Sequence, residues 1–122
     1  MPAFPGRGRW VKSRRLLSVT SALLMTFGLP QVGADSITEL RTTVATLTRQ
    51  IDENPDSASA YQSRGVAYFE LGEFKKSISD FDRFIQLYPN QEPHHWQRGI
   101  AYYYAHEYEK GVQQFELHKS VN

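Results

Sequence analysis

A fixed spacing of matching residues recurs through the second half of the chain and constrains its fold more than any other feature. Matching residues lie 34 positions apart in five pairs: Pro55 and Pro89, Gly65 and Gly99, Tyr68 and Tyr102, Phe74 and Tyr108, and Phe81 and Phe115. Matches at a single period mark a repeated structural unit. The sequence therefore predicts two copies of one unit, over residues 55–89 and 90–122, with the second copy incomplete at its end. We refer to this spacing as the repeat period.

A single amphipathic helix is predicted ahead of the first copy, within residues 35–54. Its apolar residues recur at steps of three and four, the spacing of one helix stripe. They are Ile37, Leu40, Val44, Leu47 and Ile51. We expect Asp35 and Ser36 to cap its start, with Glu39 completing a capping box, and Pro55 to stop it. We interpret this helix as an N-terminal cap of the repeats.

Each copy is predicted to fold as two antiparallel helices joined by a short turn. In the first copy the helices cover residues 56–71 and 73–88, with Gly72 in a left-handed turn between them. In the second copy they cover residues 92–105 and 108–119. Such short turns force neighbouring helices to fold back on each other. The predicted fold class is all-α, a short solenoid of antiparallel helix pairs.

Residues 37–122 resemble the tetratricopeptide repeat family. The residues that match its pattern are Tyr61, Gly65, Tyr68, Gly72, Phe74, Phe81 and Pro89 in the first copy and Gly99, Tyr102, Tyr108 and Phe115 in the second. The chain departs from the pattern at Arg64, where leucine is usual, at Ser77 and Gly111, which replace alanine, and at His106, which replaces the turn glycine. The resemblance implies that Gly65 and Gly99 allow close helix approach. The matching aromatic residues are expected to fill the space between neighbouring helices. The last helix has no further helix to cover its outer face, which includes Phe115, so we expect it to be marginally stable or covered by something else.

The resemblance also assigns a candidate groove, because ligand peptides in this family lie along a concave face lined by the first helix of each pair. The corresponding residues are Gln62, Val66, Phe69 and Glu70, followed by Pro93, Trp96, Ile100, Tyr103 and Tyr104. Trp96, Tyr103 and Tyr104 have no obvious core role, so we expect them to be binding anchors. The alternative is that they pack on a neighbouring chain or on a further part of a repeat array.

The resemblance implies a protein- or peptide-binding adaptor or scaffold, not an enzyme. The sequence has no phosphate-binding glycine loop, nucleophile elbow or HExxH motif. It has no cysteine and its four histidines lack a metal-ligand spacing, so we expect neither metal nor cofactor. The clamp that holds chaperone carboxylates is not expected either, because it uses Lys and Asn where this chain has Gln62 and Val66. A self-associating structural protein and a fragment of a longer repeat array remain alternatives.

The segment 1–34 has the pattern of a secretory signal. It carries five basic residues and no acidic one, an apolar run from Leu16 to Leu29, and small residues that end at Ala34. The run is shorter than the roughly 20 residues of a membrane span. We predict a periplasmic or secreted protein after cleavage near Ala34, with an uncleaved membrane anchor as the alternative. Residues 35–122 carry nine basic and thirteen acidic residues, which argues against a nucleic-acid partner.

Overall fold

The computed structural model describes residues 32–122, and this range is all-α, as predicted. It contains helices α1 (Val32–Glu53), α2 (Ala58–Glu70), α3 (Phe74–Leu87), α4 (Trp96–Tyr104) and α5 (Tyr108–Ser120), and a 3₁₀ helix (Pro89–His94) before α4. The predicted signal lies outside the described residues, except for the three residues that open α1. Among the described helices, none has the combined length and apolar character that a membrane crossing requires.

Helix α1 begins at Val32, so the prediction that Asp35 and Ser36 cap its start is wrong. Asp35 instead lies in the first turn, where its carboxylate interacts favourably with the helix dipole. The apolar stripe is buried only towards its C-terminal end, since Ile51 is 8% exposed and Ile37 is 53% exposed. Polar contacts also attach this helix to the others, including an ion pair of 2.7 Å between Arg41 and Glu73.

Helices α2 and α3 form the first pair and approach each other closely at Gly65. A Cβ atom at Gly65 would lie 2.6 Å from the Phe81 ring, which confirms that this position requires glycine. On the facing helix, the buried Ser77 hydroxyl donates a hydrogen bond of 2.7 Å to the Gly65 carbonyl. The turn between the helices places Gly72 at a φ of 76°, the left-handed conformation that the sequence predicted.

Helices α4 and α5 form the second pair, and α4 begins later than predicted. The preceding segment is a 3₁₀ helix that contains Pro93, and His95 leaves the helical conformation to cap α4 at Trp96. The turn after α4 resembles that of the first pair, because His106 takes a φ of 64°. Close approach recurs as well, since a Cβ atom at Gly99 would lie 2.9 Å from the Phe115 ring.

The core joins the two pairs through α3, which packs against both α2 and α4. Phe81 is fully buried, and Ile78 forms a cluster with Ala101 and Tyr102 of α4. The expectation of buried aromatic residues is therefore confirmed at Phe81 and Tyr102. It is wrong at Tyr108, which is 52% exposed. Phe115 packs against Gly99 and is still 41% exposed, as expected for the uncovered outer face of the last helix. The physical reason is that no helix of the described range packs on the outer side of α5.

Candidate functional site

The predicted groove residues of the second copy lie mainly on α4, and three of them are aromatic and exposed. Trp96, Tyr103 and Tyr104 are 49%, 59% and 54% exposed, and Ile100 between them is partly buried. Pro93 does not share this helix: it lies in the 3₁₀ segment, where its carbonyl oxygen is 3.2 Å from Nδ1 of His118. We refer to Trp96, Tyr103 and Tyr104 as the aromatic surface.

The predicted groove residues of the first copy lie on α2 and are less accessible. Gln62, Val66 and Phe69 are partly buried, whereas Glu70 is exposed. Phe69 packs edge-on against Phe74, with ring centroids 5.5 Å apart, so it contributes to the interior. The exposed apolar area of the candidate groove is therefore concentrated on α4.

Ring contacts hold the two tyrosines of the aromatic surface in place. Tyr104 stacks on Phe74 of the first pair, with a centroid distance of 4.9 Å and an interplanar angle of 16°. Tyr103 makes edge contacts with Tyr104 at 5.5 Å and with Tyr108 at 5.6 Å. Tyr104 thus has a packing role that sequence reasoning missed, since it links the two pairs. A ring fixed in this way loses little rotamer freedom when it binds a partner.

An open pocket of about 180 Å³ lies beside Trp96. Its lining consists of amide side chains, aromatic rings and two histidines: Gln62, Phe84, Gln91, His94, His95, Trp96 and Gln97. Within the part of the chain that the structure describes, no carboxylate, lysine or arginine contributes to this lining. Hydrogen bonding and apolar contact are therefore the interactions that this pocket offers.

His95 forms the buried base of the pocket. Its Nδ1 accepts a hydrogen bond of 3.2 Å from the Arg98 backbone amide, so the proton of the neutral ring is on Nε2. That N–H donates to Oε1 of Gln62 at 2.8 Å, and the ring packs on Phe81 at 4.3 Å. Burial, and then the Arg98 cation, lower the pKa of His95 to about 4. His95 is consequently uncharged at neutral pH and fixes the orientation of Gln62.

Residues 58–91, which cover α2, α3 and the start of the 3₁₀ segment, match the family model for the tetratricopeptide repeat. The chain contains a tetratricopeptide repeat. A comparison with curated proteins found no match. Tetratricopeptide repeats bind proteins or peptides as a class, which indicates a protein–protein interaction module. Within residues 32–122, no group of three or more His, Cys, Asp or Glu side chains is placed to hold a metal ion.

In this tetratricopeptide repeat the arginine at the usual leucine position bridges two helices. Arg64 binds Asp80 of α3 in a bidentate ion pair, with Nε–Oδ2 and Nη2–Oδ1 distances of 2.8 and 2.7 Å. Its Nη1 donates to the Thr48 hydroxyl of α1 at 3.1 Å. The hydrogen bonds to Asp80 are the main reason that the pKa of Arg64 is raised. Arg64 thus connects its own pair to the helix that precedes it.

The second pair repeats this bridge with Arg98, which is 8% exposed. Its Nε donates to Oε1 of Gln114 on α5 at 2.8 Å, and its Nη1 pairs with Asp82 on α3 at 2.8 Å. A third contact, of 3.0 Å, joins Nη2 to Glu92. The partners follow the repeat, because Asp82 lies one repeat period after Thr48 and Gln114 lies one repeat period after Asp80. That register was visible in the sequence, and it is the signal that could have identified both arginine bridges.

Proposed function

We propose that this chain binds an extended segment of a partner protein along the aromatic surface and the pocket beside Trp96. The observation that carries the proposal is the exposure of three aromatic rings on one nine-residue helix. Large exposed aromatic side chains are costly to keep in water and are enriched among the anchors of binding interfaces. The contacts of Tyr103 and Tyr104 with other rings support a preformed surface.

The chemistry of the pocket favours an uncharged partner segment. Its volume of about 180 Å³ exceeds the roughly 150 Å³ cavity that admits benzene, so an aromatic or branched aliphatic side chain would fit. Oε1 of Gln62 is bonded to His95, and its NH₂ group has no hydrogen-bond partner within the described residues. That group is suited to donate to a backbone carbonyl of the partner.

The proposed role is that of a non-catalytic adaptor, which acts outside the cytoplasm. The match to the tetratricopeptide repeat supports the adaptor role, since repeats of this class act by binding other proteins. The basic and apolar pattern of residues 1–34 supports export. A protease-protection assay on cells that express the full chain tests the export proposal. Export would be contradicted if the chain remained protected from the protease both in intact cells and in cells whose outer envelope has been opened.

The binding proposal is tested with peptides selected from a random display library against the purified chain. We expect Trp96→Ala combined with Tyr103→Ala to lower the affinity for the selected peptides at least tenfold. Truncation of an interface anchor typically costs more than about 1 kcal/mol of binding free energy. The melting temperature should stay nearly unchanged, since both residues are about half exposed. Fluorescence anisotropy gives the affinity, and circular dichroism gives the melting temperature.

Ile37→Ala is the matched control, because Ile37 is 53% exposed and lies on α1, outside both the aromatic surface and the pocket beside Trp96. It should leave peptide affinity within a factor of two. Equal losses of affinity in Ile37→Ala and in the double variant would contradict the proposal. A double variant that loses stability in proportion to affinity would show instead that the rings serve the fold.

A further inference from the structure

The outer side of α5 exposes a row of residues that includes three large apolar side chains. Tyr108, Val112 and Phe115 are 52%, 61% and 41% exposed, and Glu116 beside them is also exposed. We refer to these four residues as the α5 outer face. Neither the aromatic surface nor the pocket beside Trp96 includes any of them. The repeat register gives this face a specific interpretation.

The α5 outer face corresponds, residue by residue, to the side of α3 that holds α4. The residues one repeat period earlier are Phe74, Ile78, Phe81 and Asp82. Each of them contacts α4 or its cap: Phe74 stacks on Tyr104, Ile78 packs with Ala101 and Tyr102, Phe81 contacts His95, and Asp82 pairs with Arg98. Helix α5 therefore presents the same kinds of side chain, in the same order, as a surface that binds a helix within this chain.

Glu116 indicates that a ligand of this face would carry a positive charge. Thr48, Asp82 and Glu116 follow one another at intervals of one repeat period. Thr48 accepts a hydrogen bond from Arg64, and Asp82 accepts one from Arg98. Glu116 makes no ion pair or hydrogen bond with any residue that the structure describes. It is thus the third acceptor of the series, and no arginine of the described residues is bonded to it.

We propose that the α5 outer face binds a helix of a partner protein that presents an arginine to Glu116. The two helices with this arginine share their flanking residues: α2 has Tyr61, Arg64, Ala67 and Tyr68, and α4 with its cap has His95, Arg98, Ala101 and Tyr102. The partner helix accordingly carries an aromatic ring three residues before the arginine, a small residue three after it, and tyrosine four after it. The small residue lets it approach Val112, as Ala101 approaches Ile78.

A second copy of this chain does not meet these requirements in its folded state. Its two arginines of this kind are already bonded, Arg64 to Asp80 and Arg98 to Asp82. The helix sides that carry these two arginines are packed inside the fold, since Ala67 and Ala101 on the same sides are 3% and 0% exposed. A partner with a free helix of this type is therefore the occupant that fits both the charge and the shape of the face.

The test uses a labelled synthetic peptide with the sequence of residues 89–106, which contains α4 and its cap, added to the intact chain. We expect saturable binding by fluorescence anisotropy, weakened at least tenfold by Glu116→Arg in the chain. A peptide with Arg98→Glu should recover affinity for the Glu116→Arg chain. Glu39→Arg is the matched control, because Glu39 is an exposed glutamate of α1 and lies outside the α5 outer face, and it should change affinity less than threefold.

Several results would overturn the proposal. One is the absence of saturable binding up to millimolar peptide. Another is an equal loss of affinity in Glu116→Arg and Glu39→Arg, which would indicate only general charge attraction. Self-association of the chain that Glu116→Arg abolishes, measured by light scattering, would assign the face to a second copy. The chain variant Trp96→Ala should leave binding of this peptide unchanged, which separates the α5 outer face from the proposed function of the aromatic surface.

Discussion

At the scale of single residues, His95 combines a capping role with a buried ring that resists protonation. Its Nδ1 accepts the Arg98 amide proton, and its pKa is lowered to about 4 from the usual 6.5 by burial and by the Arg98 cation. Protonation would remove the acceptor and place a positive charge at the positive end of a helix dipole. The neutral form of His95 is thus part of the folded structure.

The free energy of unfolding is expected to fall as the pH drops from 6.5 to about 4. In this window the unfolded state binds the His95 proton and the folded state does not, so the loss reaches up to about 3 kcal/mol. Glu73, whose pKa is lowered chiefly by its hydrogen bond to Arg41, adds a loss of stability only at lower pH, below its usual value of 4.5. Urea unfolding at pH 7, 6 and 5 measures the effect of His95.

His95→Asn is the appropriate comparison, because asparagine still caps the helix and does not titrate. This variant should be less stable at pH 7, since it loses the ring contacts with Phe81 and Phe84. Its stability should, however, vary less between pH 6.5 and 5 than that of the native chain. Parallel pH profiles for the two proteins would show that His95 is not responsible.

The two close-approach glycines are expected to differ in their tolerance of alanine. Gly65→Ala should cost about 1–3 kcal/mol, because the new Cβ would lie 2.6 Å from the ring of Phe81, which is fully buried. Gly99→Ala should cost less, because Phe115 is 41% exposed and its ring can rotate outward. Chemical denaturation of both variants gives the comparison. Equal costs would mean that Phe115 is as confined as Phe81.

At the scale of helices, the arginine bridges connect each pair to the helix before it. Arg64 contacts Asp80 of its own pair and Thr48 of α1, and the Arg98 contacts follow the same register. An arginine in this place requires a polar partner on both neighbouring helices, whereas leucine requires only apolar contact. The bridges therefore restrict which helices can lie side by side.

Removal of Arg64 is expected to destabilise the chain more than removal of the whole ion pair. Arg64→Leu leaves the Asp80 carboxylate, whose side chain is 6% exposed, without its cation, at a cost of about 3–5 kcal/mol. Arg64→Leu combined with Asp80→Leu should recover at least half of this loss. A double-mutant cycle in urea supplies the coupling energy. Additive losses would contradict the pairing.

At the scale of the whole molecule, the helices differ in how many neighbours they have. Helix α3 packs on both α2 and α4, and five of its residues are buried. Helix α5 buries only Gly111 and Gln114, since its outer face has no neighbour among the described helices. Helix α1 is exposed along most of its first half. In a repeat array, such neighbour contacts supply most of the stability.

Backbone amides of α3 are therefore expected to exchange with solvent most slowly. Those of α5 and of the first half of α1 should exchange faster, because less burial opposes their local opening. Native-state hydrogen exchange followed by NMR or mass spectrometry measures the order. Saturation of the α5 outer face with the peptide of residues 89–106 should slow exchange in α5. Slower exchange in free α5 than in α3 would contradict this description.

Local signals in the sequence were sufficient for the helix pairs and their turns. The apolar steps of three and four, the repeat period and Gly72 predicted the all-α fold, because helix periodicity and turn conformation depend on residues close in the chain. Gly65 and Gly99 were identified from the resemblance to the tetratricopeptide repeat, whose pattern places a small residue where two helices approach. The helix start at Trp96 was missed, since a 3₁₀ segment and the capping residue His95 precede it. The start at Val32 was missed because Asp35 and Ser36 also fit the pattern of a helix cap. The groove residues remain a prediction.

The sequence by itself determined the repeating unit, its helices and its positions of close approach. Only the tertiary structure decided which side chains meet across helices: Arg64 with Asp80, Arg98 with Asp82, Tyr104 with Phe74, and His95 with Gln62. It also decided that Tyr108 is exposed although it matches the core pattern. The physical reason is that burial and pairing depend on which helix lies alongside, and the spacing of residues within one helix does not contain that information.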